Sequence, residues 1–229
     1  MVNVRGSASD AWDEEYRRGR CVDEPPVGFV DPPPTEPRSS RTTELAELIA
    51  SCPWLLDVLR TVRESGLPDA WVGAGVLRDL VWGQRYGGGF DPQDVRDVDV
   101  AFFDANDLTP GRDAAATELL RLREPAVPWE ATNQAAVHTW YESVFGTGPV
   151  PALHSVADAV ATWPETATCV AVRFDAAGTL HVCAPLGLDD LLDGVWRRNP
   201  RRITAELSRA RLSRHDPGRR WPHVTVAPP

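Results

Sequence analysis

Two stretches decide the fold: A-W-V-G-A-G-V-L-R-D-L-V-W, residues 70–82, and R-D-V-D-V-A-F-F-D, residues 96–104. The first reads as a short strand, Ala70–Ala74, that runs into Gly75 and turns directly into a helix. The second reads as a strand over Asp97–Phe103. Side chains alternate along a strand, so Val98, Val100 and Phe102 face one way and Asp97 and Asp99 the other. Carboxylates two residues apart then project together, with Cα atoms about 6–7 Å apart. Such a pair repels itself and asks for a cation between its members. Mg²⁺ (or Mn²⁺) suits this arrangement, because it takes one or two protein carboxylates and leaves its other positions to water and phosphate. Taken alone, D-V-D-V also reads as an edge strand with a solvated acidic face. The turn upstream adds weight to the metal reading. Gly73-Ala74-Gly75 at a helix start presents free backbone N–H groups and the positive end of the helix dipole, where a phosphate binds. The simpler reading of the glycines is a tight turn.

Outward from this pair the chain alternates strands and helices, which predicts an α/β (α+β) fold with a mixed sheet flanked by helices. Upstream, apolar spacing from Thr43 predicts a helix, and Pro53 opens a second that ends at Gly66. Downstream, G-R-D-A-A-A-T-E-L-L-R-L predicts a helix, Val127–Ala131 a strand and N-Q-A-A-V-H-T-W-Y-E-S-V-F another helix. A hairpin turning at Ala176–Gly178 follows, then a helix over G-L-D-D-L-L-D-G-V-W and an arginine-rich helix from about Ile203 to Ser213. Three segments result: a disordered, Pro-rich acidic tail at 1–42, a folded domain at 43–200, and an Arg-rich helix and tail at 201–229.

Composition excludes several chemistries. All 24 basic residues are arginine, so no Walker A loop, kinase strand lysine, Schiff-base lysine or Ser-Lys hydrolase is present. No apolar run is long enough for a membrane span, and the N-terminus lacks a signal peptide's apolar stretch, so a cytoplasmic location with no membrane partner is expected. Four cysteines, Cys21, Cys52, Cys169 and Cys183, form no zinc-spaced set. Cys169 and Cys183 flank the hairpin, a placement compatible with a disulfide or, as a reducing compartment favours, with two buried thiols. Residues 43–196 carry nine arginines against 23 acids, and residues 197–229 nine arginines against two acids. The basic end reads either as a phosphate-capturing arm or as a helix lying on the acidic body. D-P-Q-D-V-R-D-V-D is not a calcium loop, since it lacks the central glycine and the terminal glutamate.

With these residues in view, the chain resembles the DNA polymerase beta-like nucleotidyltransferase superfamily. A Gly-containing strand-to-helix turn there precedes a strand with two metal-binding Asp, and a later strand supplies a third carboxylate. It is also similar to the head domain of tRNA-nucleotidyltransferases and poly(A) polymerases. It is most similar to a small bacterial nucleotidyltransferase-like family of unassigned substrate. The matching residues are Ala74-Gly75 with Arg78, Val81-Trp82, Asp97–Val100, Phe103-Asp104, Trp129-Glu130, Asn133-Gln134-Ala135, His138, Trp163-Pro164-Glu165-Thr166 and Gly187–Leu191. The resemblance implies Asp97, Asp99 and Glu130 as catalytic, metal-holding carboxylates, with Glu130 as general base or ligand of a second metal. It implies Gly73, Gly75 and Arg78 at the triphosphate and Asn133, Gln134 and His138 at the nucleotide or acceptor. For Arg78 an ion pair with Asp79 is the competing role, and for His138 a hydrogen bond within the fold. Gln134 and His138, four apart, would share a helix face. Asp104 reads as a turn cap, and Asp189, Asp190 and Asp193 as acids that cap and solvate a helix. Thr132 and Ala136 stand where relatives often carry basic residues, so Arg78, Arg85 or Arg96 would have to neutralise phosphate.

The implied function is Mg²⁺-dependent transfer of a nucleotidyl group from an NTP (ATP among them) to an acceptor, with release of pyrophosphate. Two rivals share the fold: a catalytically inactive nucleotide-binding module and a protein-interaction module working through the tails. A large nucleic acid is a disfavoured partner, given the acidic body and the absence of extra helical RNA-binding domains.

Overall fold

The computed structural model describes residues 38–145 and 149–228. Most of the tail read at 1–42, together with Cys21, lies outside the described residues. Two helices open the described part. Helix α1, Arg38–Ala50, begins inside the segment read as tail, and α2, Pro53–Ser65, starts on Pro53 and ends on Gly66. Leu55, Val58, Leu59 and Val62 make the buried stripe of α2, the spacing that the sequence predicts.

Strand β1, Trp71–Gly73, leads through Ala74 into α3, Gly75–Tyr86. Next come β2, Val98–Phe102, helix α4, Gly111–Arg123, β3, Trp129–Asn133, and α5, Val137–Phe145. A short α6, Val156–Val160, precedes the hairpin of β4, Ala171–Phe174, and β5, Leu180–Cys183. One sheet carries these five strands in the order β3-β2-β1-β4-β5. Strands β2 and β3 are parallel and the other neighbours antiparallel, which makes the sheet mixed.

The two faces of the sheet differ. Val72, Val98, Val100, Phe102 and Val172 point into the main core, against Leu45, Ile49, Leu59, Leu77, Leu80 and Leu120 of the helices. Ala101 and Ala171 point the other way, into a smaller cluster with Val156 and Val160 of α6, flanked by Trp71, Phe103 and Trp163. Asp99 alternates with Val98 and Val100, so it lies on this second, less covered face.

Several boundaries differ from the sequence reading, each for a local reason. The strand expected at Val127–Ala131 is displaced to Trp129–Asn133. Pro128 cannot donate to a ladder, and Thr132 and Asn133 continue the pairing with Ala101 and Phe102. The helix expected over the G-L-D-D-L segment is one turn, α7, Asp189–Leu192; Gly194, at φ 67°, then turns the chain into β6, Val195–Trp196. The arginine-rich helix is α8, Ala205–His215, capped by the Thr204 hydroxyl accepting from the Leu207 N–H. After the one-turn α9, Pro217–Arg220, strand β7, Thr225–Val226, pairs in parallel with β6.

The C-terminal segment is built into the body. Trp196 and Trp221 are buried in the main core, and Trp221 meets Trp82 edge-on at 5.2 Å. Arg211 of α8 makes a two-pronged, buried ion pair with Glu165, at 2.6 and 2.9 Å. Arg197 pairs with Asp190, and Arg41 with Asp193, so those acids serve packing and surface pairing. Cys52 and Cys169 are buried free thiols and Cys183 a half-buried one. Burial holds the Cys169 thiol at a pKa of about 12, unreactive at neutral pH.

Candidate active site

The three acids come together through sheet register. Asp99 on β2 is the direct partner of Glu130 on β3, and on its other side the partner of Gly73 on β1. Neighbouring strands lie about 4.8 Å apart, so Asp99 stands between Glu130 and the start of the β1–α3 turn. Asp97 sits immediately before β2, two residues from Asp99, and lines the same concavity as Glu130. That concavity measures about 350 Å³ and is walled by Arg96, Arg121 and Trp129, within the range of a small-molecule site.

The turn completes the corner. Ala74, the residue before α3, takes φ 55° and ψ −121°, a region comfortable only for glycine. This conformation aims the Gly75 N–H at the Asp99 carboxylate, which accepts it. A Cβ on Gly75 would lie 3.7 Å from both Asp97 Oδ1 and Arg78 Nη2, so glycine leaves open the space between the turn and the carboxylate. Gly73 is a different case. A Cβ there would fall 2.7 Å from the Trp163 ring and 2.8 Å from the Val170 carbonyl. Its hydrogen is required by packing.

The electrostatics of the trio are unbalanced. Burial, then the charges of Asp97 and Glu130, push the Asp99 carboxyl well above the usual carboxylate range, against the pull of the Gly75 N–H and Arg78. Asp97 is raised by burial and by Asp79, and held down by Arg78, Arg96 and Arg214. Glu130 is raised by burial and by Asp97. Acids that raise one another are short of positive charge, and a divalent cation is the species that supplies it. Among the described residues no three His, Cys, Asp or Glu side chains form a ready-made cage. Mg²⁺ does not need one, since it is usually held by one or two carboxylates together with substrate phosphates and water.

The remaining predicted residues separate into two groups. Arg78 is buried, donates to Asp79 at 2.7 and 3.0 Å, and lies over the rings of Trp221 and Trp196 at 5.2 and 5.6 Å. It makes the ion pair with Asp79 and still faces Asp97 and Asp99 with its charge. Gln134 donates to the Thr132 carbonyl from a short 3₁₀ turn, Gln134–Ala136. That turn breaks the helix before His138, so the shared helix face expected from their spacing does not form. His138 has an enclosed Nδ1 without a hydrogen-bond partner among the described residues. Asn133 is fully buried on the opposite face from Glu130. Its amide donates to the carbonyls of Asp104 and Asp107 and accepts from the N–H groups of Asp104 and Ala135. An amide has four such bonds to give, so Asn133 pins the loop after β2 and keeps none for a ligand in this conformation. Asp104 accepts from the Asn106 N–H and from Arg112, the capping role its position suggests.

Three residues touch the site in ways that sequence reasoning did not assign to them. Asp79 and Arg214 act on Asp97 through space, and Trp163 rests on Gly73. Arg214 comes from α8, more than a hundred residues beyond Asp97 in the chain, and no local pattern announces it. Trp163 did carry a signal, as part of the W-P-E-T block.

Solved structures of other proteins are similar to this chain. An NMR structure described as a CCA-adding enzyme head domain superposes with a TM-score of 0.68 at 25% identity, covering 82% of this chain and 96% of its own. A CCA-adding enzyme in complex with CTP aligns over 80% of this chain and 43% of its own, at 14% identity and a TM-score of 0.48. No protein of curated function matches in sequence. Residues 60–226, which include the turn, the three acids and the C-terminal helix, match the model of a nucleotidyltransferase family, and the chain belongs to that family.

Proposed function

We propose that the chain transfers a nucleotidyl group from an NTP to an acceptor, with loss of pyrophosphate, at the corner formed by the β1–α3 turn, Asp97, Asp99 and Glu130. The observation that carries this reading is the register of Gly73, Asp99 and Glu130 across three strands, which sets two mutually repelling carboxylates beside a helix start. Asp97 and Asp99 would hold Mg²⁺ (or Mn²⁺), which when bound supplies charge neutralisation for the triphosphate and the departing pyrophosphate. The chain's own groups do the rest. With the Ala74 and Gly75 N–H groups given to the Val170 carbonyl and to Asp99, the positive end of the α3 dipole and the charge of Arg78 attract the phosphates and favour charge developing there. Glu130, its carboxyl raised by burial and by Asp97, would orient or deprotonate an acceptor hydroxyl from the cavity it lines.

The test is a thermal-shift panel of the four NTPs with and without Mg²⁺ or Mn²⁺, on wild type and Asp99→Asn, followed by a pyrophosphate-release screen for acceptors. A ligand at 100 times its Kd stabilises the fold by about 2.7 kcal/mol. A metal-dependent shift in wild type that is lost in Asp99→Asn supports the site. Absence of any shift at millimolar nucleotide overturns it. Binding without pyrophosphate release for any acceptor would favour the inactive nucleotide-binding module instead.

A further inference from the structure

The second face of the sheet carries one row of side-chain positions across all five strands: Glu130, Asp99, Gly73, Ala171 and Cys183. The first two are carboxylates. The third has no side chain, and the space above it is filled by the Cζ3–Cη2 edge of the Trp163 indole. That edge therefore stands one strand, about 5 Å, from Asp99. Trp163 is half-buried, and its backbone is pinned: its carbonyl accepts from Asn199 Nδ2 at 2.9 Å, and the same amide holds the Ala161 carbonyl at 2.9 Å. Asn199 itself is buried. Trp163 thus sets a partly solvent-open aromatic ring, on a pinned backbone, beside the proposed phosphate corner.

The layout of the corner assigns the sides. Glu130 and its cavity lie on the β3 side of Asp99 and serve the acceptor. The nucleoside of a triphosphate held at Asp97, Asp99 and Gly75 is left the β1 side, where Trp163 stands. We infer that Trp163 is the aromatic wall of the nucleoside subsite, against which the base or ribose of the bound NTP packs. Gly73 is glycine so that this wall can come within one strand of Asp99. The inference rests on the nucleotidyl-transfer reading but concerns the base, not the phosphates.

Comparing each NTP with inorganic tripolyphosphate, both with Mg²⁺, separates the two. Wild type should bind its preferred NTP about tenfold more tightly than tripolyphosphate, the size of one base–aromatic contact. Trp163→Leu should lose that preference while keeping its tripolyphosphate affinity, and Trp163→Phe should retain most of it. A second measurement does not depend on the leucine variant folding. The chain has nine tryptophans, and the indole N–H signal missing from the NMR spectrum of Trp163→Phe identifies that of Trp163. In wild type this signal should move on adding MgNTP and stay in place with magnesium tripolyphosphate. Equal loss of both ligands in Trp163→Leu, equal wild-type affinity for both, or an indole signal indifferent to NTP overturns the inference and makes Trp163 a packing residue. Wild-type failure to bind any NTP, whether or not tripolyphosphate binds, overturns the nucleotidyl-transfer reading and the inference with it. Binding of NTP and tripolyphosphate with equal affinity removes only the nucleoside wall.

Discussion

Charge is handled in opposite ways at two places in this fold. Where the C-terminal segment meets the body, Glu165 and Arg211 are both buried and meet through two hydrogen bonds, so each charge has its counterpart. At the front corner Asp97, Asp99 and Glu130 are brought close by strand register, and burial raises all three, with Asp79 adding to Asp97, Asp97 and Glu130 to Asp99, and Asp97 to Glu130. Removing charge from water is costly, and a fold tolerates it when the pair is satisfied internally. An arrangement that leaves negative charge in excess is retained at a cost in stability, which is the mark of a site waiting for a ligand. On the proposed reading, the contrast sets structural charge against charge kept for a ligand.

The largest expected effect tests the satisfied region. Glu165→Ala leaves the Arg211 guanidinium buried without its carboxylate and should cost about 3–5 kcal/mol by chemical denaturation. If the variant loses less than 1 kcal/mol, the pair is not the closed structural unit described here. Next in size is Gly73→Ala. The added methyl meets the backbone carbonyl of Val170 as well as the Trp163 ring, and such overpacking costs about 1–3 kcal/mol. A neutral outcome would mean that the Trp163 ring is not seated on β1.

A pH titration sharpens the comparison further. Burial and the charges of Arg78, Arg211, Arg214 and Arg96 depress the His215 imidazole to a pKa of about 2. The unfolded chain takes up that proton near pH 6.5 and the folded chain does not, so stability falls as pH drops below about 6.5 toward 2. The limiting slope is about 1.4 kcal/mol per pH unit. His215→Gln should flatten the acid limb of the stability profile, read from denaturation midpoints between pH 7 and 4. An unchanged limb contradicts the assignment. Smallest is Ala74→Gly, which relieves the positive-φ strain at the turn and should change stability by about 1 kcal/mol or less, because glycine's greater freedom in the unfolded chain offsets part of the gain.

Much of the front corner was legible in the chain. Alternation in D-V-D-V placed Asp97 and Asp99 on one side, and G-A-G marked a strand entering a helix. Glu130 came from resemblance, since nothing local ties it to Asp99; the tie is the parallel register of β2 and β3. The satisfied region was less legible for the same physical reason. Glu165 and Arg211 are 46 positions apart, and their pairing depends on how the C-terminal segment folds back. Arginine density there also reads as a phosphate-capturing arm, though a helix lying on the acidic body is the favoured reading. Asn133 shows the converse: it stands in a motif block, yet its amide is consumed by a loop anchor that only the structure displays.

The central claim is that Asp99 is held in repulsion for the sake of a cation and a triphosphate. It is tested most directly by the melting temperature of wild type and Asp99→Asn, first in chelator and then with Mg²⁺ and NTP. The account predicts that Asp99→Asn melts higher than wild type without metal at neutral pH, because one of the repelling charges is gone. It should then fail to gain the further stabilisation that MgNTP confers on wild type. A variant that melts lower than wild type in chelator and still responds fully to MgNTP would contradict the account.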